Sequence, residues 1–402
     1  MFQKKFITLL FFITLQKIVL SQFWQQITDF PGPSRDDGTS FVIGNNAYCG
    51  TGLQDWFVAS NDFYLFDMSN ETWNAIDSLP FGSVRQYATG FSDNIYGYVF
   101  GGVNAGIYYN DLFMYDPTTG NWQTKTTMPA TGRAGSACFV INDTAYIIGG
   151  RTTSAVSINE VWAYCFTTDT WIQKNNFPFG ERWRASAVAQ NNKGYLIFGM
   201  DATYHRHNEL IEYNPTTSMW TQISTFPSLG RLYASMKSIS GDLVVLTGLD
   251  TLNTSYNDMW RINSTGLAWQ QLSSIPSAGR RGGMCFNNTT TLYYTTGIDT
   301  SNTRLKQTWK VTNPTCVEEN NYSSNISCYP NPTDGKFIIS IHQLPSNLKH
   351  TVTIYNLLGK IIQCFEINTS TVTIDISAQP KGMYLIKIQN ERGMRTEKIV
   401  YE

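Results

Sequence analysis

Between residues 22 and 313, short runs rich in aromatic and β-branched residues alternate with brief polar turns, and the alternation returns every 49 residues. Such runs, bounded by Asn, Asp, Gly and Pro, predict strands. In the third unit, Ser136 to Ile141 predicts strand a, Asn142-Asp143 a tight hairpin turn, Ala145 to Gly149 strand b, Val161 to Phe166 strand c, and Thr170 to Lys174 strand d. No long helical period interrupts them.

The period is carried by ladders of single residues. Trp24, Trp73, Trp122, Trp171, Trp220 and Trp269 stand 49 apart without a slip, and Pro31, Pro80, Pro129, Pro178, Pro227 and Pro276 follow each by seven. Gly52, Gly101, Gly150, Gly199, Gly248 and Gly297 form a third ladder, and Asn61, Asn110, Asn159, Asn208 and Asn257 a fourth that lapses to Lys306. Four strands per unit, repeated six times, predict an all-β, six-bladed β-propeller. The last unit has Glu318 where its strand-d tryptophan belongs, whereas Trp24 stands in a strand-d context with no strands before it. Residues 22–30 are therefore expected to complete the sixth blade beside residues 276–313, satisfying two open sheet edges.

The chain here resembles the kelch-repeat family. The matching residues are Pro129-x-x-x-Arg133 before strand a, Tyr146-Ile-Ile-Gly-Gly150 on strand b, and Asn110-Asp-Leu-Phe-Met-Tyr-Asp116 with Trp122 on strands c and d. Paired glycines survive at Gly101-Gly102 and Gly149-Gly150, and a single glycine holds the place in the other units.

Charge excludes a polyanion-binding role: 29 Lys and Arg face 30 Asp and Glu, so no nucleic-acid partner is expected. Met1 to Lys5 places two lysines before the apolar run Phe6 to Leu15, followed by Ile18-Val-Leu-Ser21. That order predicts a signal peptide over 1–21, with no membrane-spanning segment left after its removal. The seven cysteines lack CxxC spacing, so neither a zinc site nor a disulfide framework is expected. Cys316 and Cys328 form the one plausible bridge.

Residues 314–328 read as a linker, and 329–402 alternate again at period two, predicting a small β-sandwich of six or seven strands. Tyr329-Pro-Asn-Pro-Thr-Asp-Gly335, Ile354-Tyr-Asn-Leu-Leu-Gly-Lys360, Gly382-Met-Tyr-Leu-Ile-Lys-Ile388 and Lys398-Ile-Val400 resemble the type A C-terminal sorting domain of the bacterial type IX secretion system. The resemblance implies export across both membranes of a bacterium of the Bacteroidota type, with the secretion machinery as partner of residues 329–402. It also implies removal of the domain, with the passenger released or anchored at the surface.

The b to c and d to a loops share one face of the ring and are the longer, more varied set, so ligand contacts are expected there. An arginine from every unit stands near the axis on that face: Arg35, Arg85, Arg133, Arg182, Arg231 and Arg280. Converging guanidinium groups suit an anion; repetition in every unit favours instead a scaffold role, satisfying carbonyls of the neighbouring unit. Asp201, Asp250 and Asp299 are candidates to neutralise part of that ring. Residues that break the symmetry are better ligand candidates: Trp183 and Arg184, Tyr204 and His205, with Trp56, Phe57, Tyr87, Tyr108, Tyr109, Arg151, Tyr233, Tyr256, Arg281 and Arg304. His205 and His207 lack the further ligands a metal needs, so no metal or cofactor is expected.

Three functions fit. The first is a secreted binding module for a glycan or protein. The second is a sugar-modifying enzyme, since the kelch resemblance extends to sialic-acid mutarotases, with Glu181 as candidate acid or base beside Arg182 and Arg184. Copper oxidases resembling galactose oxidase fit poorly for want of separated histidines. The third is a structural or adhesive surface component.

Overall fold

The computed structural model describes residues 24–152, 156–263, 267–312, 326–341, 350–356, 360–390 and 393–402. The expected signal peptide, Cys316 and nearly all of the expected linker lie outside them. The chain divides into two compact units, Met1–Thr315 and Cys316–Glu402.

The first unit holds six four-stranded antiparallel sheets among its described residues. In the third, strands Ala137–Ile141, Thr144–Ile148, Val161–Cys165 and Thr170–Lys174 follow one another from the axis outward. Strand-b residues are mostly buried, and strand d carries the exposed rim. Apart from a 3-10 turn at Asp55–Phe57, no helix occurs among the described residues.

Two sets of inter-unit bonds hold the ring. Strand-d tryptophan indoles reach the strand-d end of the preceding unit: Trp73 Nε1 donates to the Thr28 carbonyl at 3.2 Å, Trp122 to Asp77 at 2.8 Å, Trp171 to Thr126 at 2.7 Å, and Trp269 to the Ser224 hydroxyl at 3.2 Å. Trp24 donates to Ser273 at 2.7 Å, 249 residues away, and so does the work of the tryptophan missing near the far end. Its strand, Gln25–Ile27, pairs with Thr308–Thr312 through Gln26 opposite Trp309.

The second set surrounds the axis. The N–H of Gly52 donates to the carbonyl of Arg85, and Gly102, Gly150, Gly199 and Gly248 donate likewise to Arg133, Arg182, Arg231 and Arg280; Gly297 donates to Arg35 at 2.9 Å and closes the cycle. Gly102 fills this role in the second unit, one place beyond the ladder position, because Arg85 is also one place late. All six glycines have φ between 92° and 103°, which a side chain would strain. A Cβ on Gly52 would also stand 2.6 Å from the Asp36 carbonyl.

Between neighbouring sheets the core is aromatic. Phe66 of the first sheet packs on Phe286 and Tyr293 of the last at 5.5 and 5.2 Å, so the contact between the chain's two ends matches those elsewhere. Cys138 and Cys285 sit in such layers, where burial raises both thiol pKa values.

Among its described residues the second unit is a seven-stranded pair of sheets. One joins Ile326–Tyr329, Lys336–Ile341 and Thr371–Asp375; the other has the order Ile361–Ile367, His350–Asn356, Gly382–Asn390, Gly393–Tyr401. Phe337, Ile339, Val352, Ile354, Ile374 and Ile386 form its core, the alternation that the sequence pattern requires of two facing sheets. The Tyr329 to Gly335 segment is stitched to the last strand. Asn331 donates to the Lys398 carbonyl at 2.7 Å and accepts from the Val400 N–H at 2.9 Å, while Thr333 N–H donates to Val400 at 2.8 Å.

Candidate functional site

The six ring arginines are scaffold. Their exposures are 0 or 1%, and the bonds their guanidinium groups make lie inside their own units. Arg35 donates to the Thr51 carbonyl at 2.9 Å and to both carboxylate oxygens of Asp62 at 2.5 and 2.7 Å; Arg85 repeats this with Gly101 and Asp111, and Arg231 with Thr247 and Asp258. Arg133 pairs with Glu160 at 2.7 Å, Arg182 stands 3.8 Å from Glu209, and Arg280 meets the neutral Gln307 at 2.7 Å. Their burial counts against an anion site built from these six. The carbonyls they satisfy belong to their own unit; the neighbour is reached by the arginine's own carbonyl, which takes the glycine N–H described above.

Their partners Asp62, Asp111, Glu160, Glu209, Asp258 and Gln307, rather than Asp201, Asp250 and Asp299, form another 49-residue ladder in the sequence. Those three instead cap their own loops. Asp250, for instance, accepts from the Leu252 and Thr254 N–H groups at 2.9 Å and from the Tyr256 hydroxyl at 2.7 Å. Tyr109 and Tyr256 are likewise packing residues, lying under Arg85 and Arg231 at 4.4 and 3.9 Å.

Two residues beyond each ring arginine (Arg35, Arg85, Arg133, Arg182, Arg231, Arg280), the backbone turns left-handed, at Asp37, Tyr87, Gly135, Arg184, Tyr233 and Gly282, with φ between 59° and 67°. Backbone N–H groups link these positions around the axis: Asp37 to Gly282, Tyr87 to Asp37, Gly135 to Tyr87, Arg184 to Gly135 and Gly282 to Tyr233. The backbone is six-fold, and the side chains are not.

Asp37 and Arg184, from units on opposite sides of the axis, form an ion pair across it. The guanidinium lies 3.6 Å from the Tyr87 ring and 4.2 Å from Tyr233, which also face each other across the ring. Gly135 and Gly282 leave room, since a Cβ on Gly282 would stand 2.7 Å from Asp37 Oδ1. What remains is a cavity of about 100 Å³. Burial would lower the Arg184 pKa, but Asp37 and the tyrosines outweigh it and raise it. Beside this pair Asp36 is pushed up to about 7 by burial and by the Asp37 charge, against the opposing bond from Arg304 Nε at 2.7 Å.

Trp183 is buried between this cluster and Arg151, whose guanidinium stacks on it at 3.8 Å. Glu181 offers its carbonyl to Arg182 at 2.9 Å and is not among the residues lining the axial cavity. His207 sits between Asp201 at 3.1 Å and Glu209 at 3.2 Å; burial and Arg182 lower its pKa. His205 packs edge-on against it at 4.7 Å, and no metal-holding group of three or more side chains occurs among the described residues.

Of the symmetry-breaking candidates, Trp56, Phe57 and Tyr204 stand fully in solvent, at 92, 81 and 73% exposure. They are tips of b to c loops. The equivalent loops of other units present Ile107, Val156 and Leu252, also exposed, which went unnoticed in the sequence because lone aliphatic residues in loops carry no motif. Five units out of six thus project an apolar tip on the same face.

Residues 39–229 match the family model of the KLHDC2/KLHL20/DRC7 Kelch-repeats domain, and residues 327–402 match the Secretion system C-terminal sorting domain. A solved structure titled "Structure of YjhT" is similar over 70% of this chain and 95% of that chain, with a TM-score of 0.61 and 19% identity. It shares the fold. No curated protein matches the chain.

Proposed function

Given a kelch-repeat propeller that carries a secretion-system C-terminal sorting domain, we propose that this protein is an exported binding module whose b to c loop tips grip an extracellular ligand. The sorting domain directs export by the type IX secretion system to the cell surface or beyond. Within this reading, residues 1–21 are the signal peptide, 22–313 the propeller, 314–328 the linker and 329–402 the sorting domain.

The observation that carries the reading is the crown of tips: Trp56, Phe57, Ile107, Val156, Tyr204 and Leu252 hold apolar surface in water around one end of the ring. Keeping such surface wet forgoes about 25 cal/mol per Å² of burial, a cost that a partner would recover. Aromatic tips alone would suit sugar rings. The mixture with Ile, Val and Leu suits a protein surface better, because aliphatic chains stack poorly on sugars and gain by burial against another apolar surface.

Protein and glycan arrays probed with the propeller (residues 22–313) test the proposal. Retention of a ligand by the wild type and its loss in a Trp56→Ala, Phe57→Ala, Tyr204→Ala variant of unchanged melting temperature is expected. Equal retention by both proteins would refute it.

A further inference from the structure

The axis is bolted at one end and open at the other. On the b to c face the Asp37–Arg184 pair crosses it between Tyr87 and Tyr233, leaving about 100 Å³. At the opposite end, where each strand a runs into its a to b turn, a cavity of about 710 Å³ opens. Val42, Asn45, Asn94, Ser238, Asn287 and Thr289, from four consecutive units, are among its lining. None of the side chains lining it carries a charge.

We propose that this opening is a second binding site, a vestibule for the end of a neutral oligosaccharide. Its size falls in the range of ligand sites, roughly 300–1,000 Å³. Amides and hydroxyls offer donors and acceptors together, as a polyol requires. Val42, partly exposed, supplies an apolar patch for the C–H face of a sugar ring. A charged sugar would lose hydration there without gaining a counter-charge from the lining.

Turn chemistry explains part of this lining but not all of it. Asn94 and Ser240 sit at φ 71° and 52°, where Asn and other short polar residues are favoured. Ser238 and Asn287 lie on strand a instead, at the place where the first, third and fourth units carry Val42, Val140 and Ala189 and the second carries Ser92, whose hydroxyl donates to the Val42 carbonyl at 2.7 Å. Asn287 Nδ2 donates to the Ser238 carbonyl at 3.0 Å, which fixes the amide at the wall. Three units of six carry a polar residue at this place and three an apolar one. Scaffold features recur in every unit, and this one does not.

The site is independent of the loop tips, which lie at the other end of the strands. The test is a glycan array containing neutral and acidic members, with maltoheptaose and chitotetraose as probes for calorimetry against the full exported chain. Expected are retention on neutral glycans and a loss of at least tenfold in affinity in Ser238→Trp, which fills the opening. Asn45→Trp on the exposed rim gives the same reading if the strand substitution impairs folding. The Trp56→Ala, Phe57→Ala, Tyr204→Ala variant is expected to bind these glycans normally. Retention on acidic glycans alone, no retention on neutral ones, affinity unchanged in both filled variants, or loss in the tip variant would each overturn the proposal.

Discussion

At the scale of single residues, repetition separates scaffold from candidate contacts. Arg133 and its counterparts recur with their carboxylate or amide partners and are sealed from solvent, whereas Asp37 and Arg184 occur once each. Removing one member of a buried pair leaves the other uncompensated, so Arg184→Ala is expected to cost about 3–5 kcal/mol in chemical denaturation. An Arg184→Met, Asp37→Asn double variant should lose clearly less. Asp36 makes a pH prediction. Its folded pKa, about 7, lies above the ordinary 3.8, so its contribution to stability is full below pH 3.8 and is lost as pH rises through 7. The Asp36→Asn protein should therefore show a flatter melting-temperature profile between pH 5 and 8 than the wild type; identical slopes would remove Asp36 from the account. The ion pair of Asp37 with Arg184 was not legible in the sequence, because 147 residues separate partners that meet only when the ring closes. The Asp62 to Gln307 ladder was legible, since its period is that of the tryptophans.

At the scale of strands and turns, the sequence was most informative, because a 49-residue period imposes the same strand, turn and cap on each unit. The tryptophan ladder named both the strand-d positions and, through Trp24, the displaced strand that pairs with Thr308–Thr312. Loop interiors were opaque for the opposite reason: their geometry depends on neighbours, so Tyr109 and Tyr256 could not be told from exposed Tyr204. Gly52 at φ 96° anchors one inter-unit bond, and Gly52→Ala should lower stability by about 1–3 kcal/mol, read from the denaturation midpoint. In the sorting domain, Asn331 ties the opening motif to the final strand. Asn331→Ala is expected to reduce the exported fraction of a reporter fused ahead of residues 327–402, while Lys336→Ala, at an exposed ion pair with Asp375, leaves it unchanged.

At the scale of the whole molecule, the two ends of the chain have different tasks. The start of the propeller closes its last sheet and the tail carries the address, so the binding region is left to the loops between. Mass spectrometry of the exported protein is expected to find a start at Gln22 or its neighbour; an intact Met1 would contradict the signal-peptide reading. The central claim is that repeated residues build the ring while unrepeated loop tips meet the ligand. It is tested most directly by measuring stability and ligand retention together on two sets of variants: Arg133→Met and Arg231→Met in the ring, and Trp56→Ala and Tyr204→Ala at the tips. Ring variants are expected to melt lower yet retain ligand in proportion to the folded fraction, and tip variants to be within about 0.5 kcal/mol of the wild type in stability and to lose retention. Tip variants that retain the ligand fully, with ring variants that lose it while folded, would contradict that claim.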